Sequence, residues 1–132
     1  MPALKNAKVV GSGFDNAVEV VRVVYDFSVD GGQVEANTLF TTDSALLVRC
    51  VGTLVETAFT SGGSATIDLG IGASGVQFNS ATAVASYTIN TLVASASNAF
   101  FRMAAGDIMN MDVNVAALTA GKCEFIFEIC QA

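Results

Sequence analysis

Between Asp107 and Cys130, apolar and polar residues alternate twice around one turn. Met109, Met111, Val113 and Val115 share one parity, against Ile108, Asn110, Asp112 and Asn114 on the other. Successive side chains of a strand point to opposite faces, so this spacing predicts a strand with one oily and one wet side. Cys123, Phe125, Phe127 and Ile129 repeat the device, opposed by Glu124, Ile126, Glu128 and Cys130. The connection from Ala116 to Lys122 is too long for a two-residue turn and contains Gly121, which tolerates a positive φ. The two arms therefore read as a β-hairpin with a longer loop.

The same alternation marks the strands upstream. Val21, Val23, Tyr25 and Phe27 alternate with Arg22, Val24 and Asp26, predicting a strand over 18–28 that ends in the turn Val29-Asp30-Gly31-Gly32. A polar connection through Glu35 and Asn37 leads to a longer strand over 45–59. There Leu46, Val48, Cys50 and Leu54 face one way, and Arg49, Val51, Thr53, Val55 and Thr57 the other. Apolar side chains on both faces predict cover from two directions, by the chain's own core and by a partner. After Ser61-Gly62-Gly63, Ala65, Ile67, Leu69 and Ile71 set a third strand. The pattern is weakest over 72–98, where a short strand at 76–78, a helical turn over 80–86 and a strand over 87–93 are predicted. Ala99 to Met103 adds one more strand, with Phe100 and Phe101 on opposite faces.

Seven or eight short strands separated by Gly/Ser/Asn turns predict an all-β fold, an antiparallel β-sandwich of jelly-roll-like form. The expected organisation is one domain over 15–132 preceded by an extended N-terminal arm over 1–14. The arm is basic and weakly apolar and ends at the hinge Gly11-Ser12-Gly13. Lys5, Lys8, Val9 and Val10 are its expected contacts on a neighbouring subunit.

Composition changes the picture in one respect. Charged residues make up 14% of the 132 residues and apolar ones 52%, against roughly 25% charged in ordinary soluble domains. Between Glu56 and Arg102 the single formal charge is Asp68. A stretch so poor in charge makes a badly solvated outer surface, so part of it is expected to lie against another subunit. The formal net charge of −6 argues against nucleic acid as a partner, because phosphates attract basic surfaces. A membrane partner is not expected either. The longest uncharged run, Leu69 to Phe101, is broken by Gly70, Gly72, Gly75, Asn79 and Asn90, and the first ten residues lack the apolar core of a signal peptide.

Candidate chemistry is sparse. Histidine is absent, which removes the usual base at neutral pH and the commonest zinc ligand. Asp107 and Asp112, or Glu124 and Glu128, read as solvated strand faces without an opposing charge to tune them. Asn110, Asp112 and Asn114 carry hard oxygen donors, but their spacing is not that of the calcium loop D-x-[DN]-x-[DN]-G. The glycine clusters lack the lysine and helix of a phosphate loop and read as turns. Cys50, Cys123 and Cys130 form no C-x-x-C pair and read as reduced, buried small hydrophobes. No catalytic, cofactor-binding or metal-ligating residue is expected, and no enzymatic activity.

Three stretches resemble the small decoration, or cement, proteins of tailed-phage heads. They are Val24-Tyr25-Asp26-Phe27-Ser28-Val29-Asp30-Gly31-Gly32, then Ala65-Thr66-Ile67-Asp68-Leu69-Gly70, and Gly106-Asp107 through Leu118-Thr119-Ala120-Gly121-Lys122 with the strand after it. The resemblance implies a non-enzymatic homotrimer, made in the host cytoplasm and carried on the outside of the virion. There it would sit at local three-fold positions and clamp neighbouring major capsid subunits against genome pressure. The expected interface between copies takes Val51, Val55 and Phe59 from the long strand, and Val76, Phe78, Tyr87 and Phe100 from the neutral middle and its end. The alternative is a phage tail or fibre module, or another β-sandwich recognition domain, binding glycan or protein through its loops. The chain has no tryptophan, and Tyr25 and Tyr87 fall at strand positions, so stacking groups for a glycan are in short supply.

Overall fold

Each long strand carries apolar side chains at every second position, and the chain buries those strips by laying two sheets face to face. A computed structural model describes residues 3–10 and 18–132, with Leu4 the described side chain of the first segment. The strands are β1 (Ala3–Val10), β2 (Glu19–Asp26), β3 (Ala36–Thr42), β4 (Leu46–Ser61), β5 (Thr66–Ile71), β6 (Asn79–Ala83), β7 (Leu92–Ala94), β8 (Phe101–Met103), β9 (Ile108–Asn114) and β10 (Leu118–Gln131). One helical turn, α1 (Phe27–Asp30), follows β2 and one 3-10 turn, Val84–Ser86, follows β6. The first sheet runs β1-β3-β9-β5-β6, and the second runs β2-β10-β4-β7 with β8 also paired to β4. Every pairing is antiparallel except that of β1 with β3. The chain is thus the expected all-β sandwich. It passes from one sheet to the other at every connection except β5 to β6 and β7 to β8, a winding compatible with a jelly roll.

Leu39, Phe40, Ile67, Leu69, Met109 and Met111 from the first sheet meet Val23, Leu46, Val48, Phe125 and Phe127 from the second, all fully buried. Phe40 and Phe127 join the sheets edge to face at 5.3 Å. Phe127 also meets Phe78 at 6.2 Å, and Phe78 meets Phe101 at 5.5 Å. A second aromatic group, Tyr25, Phe59 and Tyr87, closes one part of the core with centroid separations of 5.7 and 5.0 Å.

Three expectations change against this frame. The two arms around residue 115 are strands as expected, but they do not form a hairpin. β9 pairs with β3 and β5, whereas β10 pairs with β2 and β4. Residues 115–117 form an arch between the sheets, so the two oily faces oppose each other across the core. β10 also begins four residues before Lys122, and Gly121 lies inside it at φ 145°, where the ring of Phe59 occupies the space a Cβ would need.

Residues 36–42, read as a polar connection, form the buried strand β3. Their polar side chains find partners: the Asn37 amide donates to the Met111 carbonyl at 3.4 Å, and the Thr42 hydroxyl donates to the Ser44 carbonyl at 2.5 Å. Leu39 is an extra residue in the pairing with β9 and is buried next to Phe40.

A bulge breaks the parity of β4. Ile126 pairs with Gly52 and Phe127 with Cys50, leaving Val51 as the extra residue. Beyond it the two faces exchange, so Leu54 is exposed and Val55 is buried.

Of the expected arm, residues 3–10 are strand β1, with Leu4 in the core. The side chains of Lys5, Lys8, Val9 and Val10 and the whole hinge lie outside the described residues.

Two outcomes test this frame. Val115 is 74% exposed at φ 76°, a conformation that burdens a β-branched residue, so Val115→Gly should raise the urea midpoint at unchanged m, a gain of about 1 kcal/mol. A lowered midpoint would show the arch is held differently. Phe127→Ala should cost about 3–5 kcal/mol in the same assay, and a loss under ~1 kcal/mol would mean the sheets do not meet there.

Candidate functional site

The second sheet has a core face and an open one. On the open face each pairing sets residues side by side: Val24, Glu124, Leu54 and Leu92 form one row, and Val20, Glu128 and Arg49 another. Ile126 lies between the rows, opposite Arg22 and Gly52. Val20, Val51, Leu54, Leu92 and Phe100 are exposed large apolar side chains on this side. Phe100 is fixed there by the guanidinium of Arg49, 5.3 Å from its ring centroid.

All the ion pairs among the described residues lie on this face. Arg22 meets Glu124 at 2.6 Å, Lys122 meets Glu56 at 3.6 Å, and the Arg49 guanidinium grips Glu128, its Nε donating at 2.6 Å. The side chains remain 24–68% exposed across the three pairs, so each contributes little to stability, about 0–1 kcal/mol. Their effect is on the character of the surface. With Arg102 opposite Leu47 and Asp26 opposite Lys122, four cations balance four anions, and the face is neutral in a chain whose formal charge is −6. A neutral, apolar-studded face with pinned charges is a contact surface by composition.

It is not shaped for a small molecule. A depression of about 210 Å³, lined by Leu54, Val55, Glu56, Asn90 and Glu124, is smaller than the ~300–1,000 Å³ typical of ligand clefts. The face's one thiol is that of Cys130, opposite Leu47. Cys50 and Cys123 are buried in the core, where burial pushes the Cys50 thiol up to about 12 and raises Cys123 as well. Cys130 is half-buried, and all three are free thiols. Tyr25 and Tyr87 are buried, their phenols raised far above the ordinary range chiefly by burial, and Tyr25 donates to the Gly31 carbonyl at 2.7 Å.

The interface residues expected from the sequence scatter in the structure. Val51 and Phe100 lie on the open face. Val55, Phe59, Phe78 and Tyr87 are at most 5% exposed and belong to this chain's own core, because the bulge at Val51 turns Val55 and Phe59 inward and the aromatic groups of the core absorb the other two. Val76 is exposed on the other side of the sandwich, in a segment packed against Gly70 of β5. Leu54, Leu92 and the ion pairs escaped sequence reasoning. Gly52 inside a run of alternating apolar residues was the available signal, since an isolated strand glycine marks a bulge.

No family model and no curated protein matches the chain. Among solved structures, a chain of the cyanophage Pam1 capsid asymmetric unit is similar in fold, with a TM-score of 0.66 and 18% identity over 92% of this chain and 90% of that one. A chain from Bacillus endospore appendages, a family of disulfide-linked pili, is 18% identical over 92% of this chain and 97% of that one, at a TM-score of 0.36. At these identities the first likeness establishes a shared β-sandwich, and the second carries no weight.

Proposed function

We propose that this chain is a structural component of a phage head: a decoration protein that assembles as a homotrimer on the outer surface and clamps neighbouring major capsid subunits. The observation that carries the reading is the shared fold with a phage capsid chain over nine-tenths of both molecules. The open face of the second sheet supports it, because that face offers contact area and no chemistry. Stable association needs about 1,200–2,000 Å² of total buried surface, and a sheet face studded with Val51, Leu54, Leu92 and Phe100 is suited to supply a share to a second copy. The proposed contact with the shell is the N-terminal segment. β1 ends the first sheet and pairs on one side with β3, and its Lys5 and Lys8 bring positive charge from an otherwise acidic chain. An edge strand of this kind is a template for pairing with another chain.

The test has two arms. Light scattering after size exclusion should give about three times the chain mass, and Leu54→Glu with Leu92→Glu should give a monomer whose unfolding free energy stays within about 0.5 kcal/mol of the parent. Co-sedimentation with phage capsids should be saturable for the parent chain. A parent that remains monomeric at high concentration and stays in the supernatant with capsids present would sink the proposal.

A further inference from the structure

The open face of the first sheet carries a cluster of polar side chains that the fold leaves unresolved. Asp68 on β5 lies directly opposite Asp112 on β9. Like charges so placed repel each other, and neither takes part in an ion pair among the described residues. Asp68 is nevertheless satisfied: one oxygen accepts from the Ala81 N–H at 2.5 Å and the other from the Asn114 amide at 3.0 Å. Asp112 is not. Its Oδ2 accepts from the Ser74 N–H at 2.6 Å, but its Oδ1 is buried with no partner.

Two positions away on the same strand face, Asn110 is 1% exposed, and both its Oδ1 and its Nδ2 are without partners. It sits opposite Gly70. A Cβ on that glycine would lie 2.2 Å from the Gln77 side-chain oxygen and 2.4 Å from the Gly75 carbonyl carbon. The segment 72–77 therefore presses onto the sheet beside Asn110 and roofs the face, held by Gly72 N–H to the Ile108 carbonyl at 2.8 Å and by Ile71 N–H to Gln77 at 2.8 Å. The expected wet side of β9 is thus enclosed, with three unpartnered polar atoms inside. Orphaned groups of this kind are rare and call for an occupant.

We infer that this enclosure is a binding site for a hard divalent cation, Ca²⁺, with Asp112 Oδ1 and Asn110 Oδ1 as protein ligands, Asp68 as the neighbouring counter-charge and water completing the shell. The donors are all oxygen, which selects an alkaline-earth ion over zinc or copper. Calcium tolerates the irregular six- to eight-fold shell that two side chains and water make, whereas magnesium demands a near-ideal octahedron. A water of the outer shell, accepting from a coordinated water, also accepts from the Asn110 Nδ2–H, so the hydrated ion satisfies all three atoms. The cation also removes the repulsion between the paired aspartates. With two carboxylates at the site, affinity should fall in the weak class of calcium sites, about 0.1–1 mM.

The experiment uses the full chain stripped with chelator. Calorimetric titration with CaCl₂ should show one saturable site, and 10 mM Ca²⁺ should raise the melting temperature by about 5–10 °C. Asp112→Asn keeps an acceptor for the Ser74 N–H and should weaken binding at least tenfold. Asn110→Leu should lose the calcium-dependent shift while melting no lower than the parent without calcium. Asp43→Asn, which removes an exposed carboxylate elsewhere, should bind as the parent does. Absence of binding heat and of a melting shift would mean that water alone fills the enclosure, and a shift that persists in Asp112→Asn would reduce the effect to screening of an acidic chain. Either result overturns the site.

Discussion

The closure of two apolar sheet faces on each other is the constraint from which the rest of the molecule follows. The meeting of Phe40 with Phe127, and of Phe78 with Phe101 and Phe127, fixes the distance and rotation of the sheets. Once that is fixed, every residue of every strand is assigned to the inside or the outside, because side chains alternate with a period of two. The chain makes local exceptions by inserting a residue. Val51 in β4 and Leu39 in β3 are such insertions, and each changes which neighbours are buried. The bulge at Val51 matters most, because it carries Val55 and Phe59 inward to Tyr25 and Tyr87 and leaves Leu54 outside beside Leu92.

The same constraint explains the unusual composition. Two sheets have two outer faces, and this chain treats them differently. Over the first sheet it folds the neutral segment 72–77, whose small residues and glycines allow backbone to lie against backbone. Gly70 is essential to that approach, since any side chain there would displace the segment. The low charge of the middle third therefore arises partly from a task within the chain, covering its own sheet, and the residues 87–94 add to it by bonding along β4 through Thr91, Asn90 and Tyr87. Over the second sheet the described residues lay no such segment. There the surface is made neutral by ion pairs.

How much of this could be read from the sequence follows from what alternation encodes. Parity is local, so the buried sets of β2, β5, β9 and β10 are plain in the chain: Val23 with Tyr25, Ile67 with Leu69, Met109 with Met111, Phe125 with Phe127. Pairing is not local. An amphipathic strand, a short connection and a second amphipathic strand describe a hairpin and an arch equally well, and the arch wins here because β9 and β10 each have partners on both sides already. β3 escaped because its buried Asn37, Thr38 and Thr42 look like loop residues until their hydrogen bonds are counted. The contact residues were misplaced for a related reason. A strand apolar on both faces implies two covers, but in β4 the second apolar face is partly an effect of the bulge, which exchanges the faces midway.

Charge placement gives the open face of the second sheet its meaning for assembly. Several of the other acids lie toward the two ends of the sandwich: Asp26 and Glu35 near the start of β10, and Asp43 with Asp107 at the opposite end, where the Thr42 N–H bonds the Asp107 carbonyl. Two copies approaching end to end would bring like charges together. Approaching through the balanced face, they keep the acidic ends apart, beyond or near the ~8 Å over which salt at physiological strength screens exposed charge. The Arg22–Glu124 and Arg49–Glu128 pairs, too exposed to stabilise the fold much, act in such a contact by reducing the unpaired charge to desolvate, a cost that opposes association. In the proposed assembly, close packing of an acidic chain against its copies needs one face relieved of the net charge, and the three bridges from β10 to its neighbours relieve it.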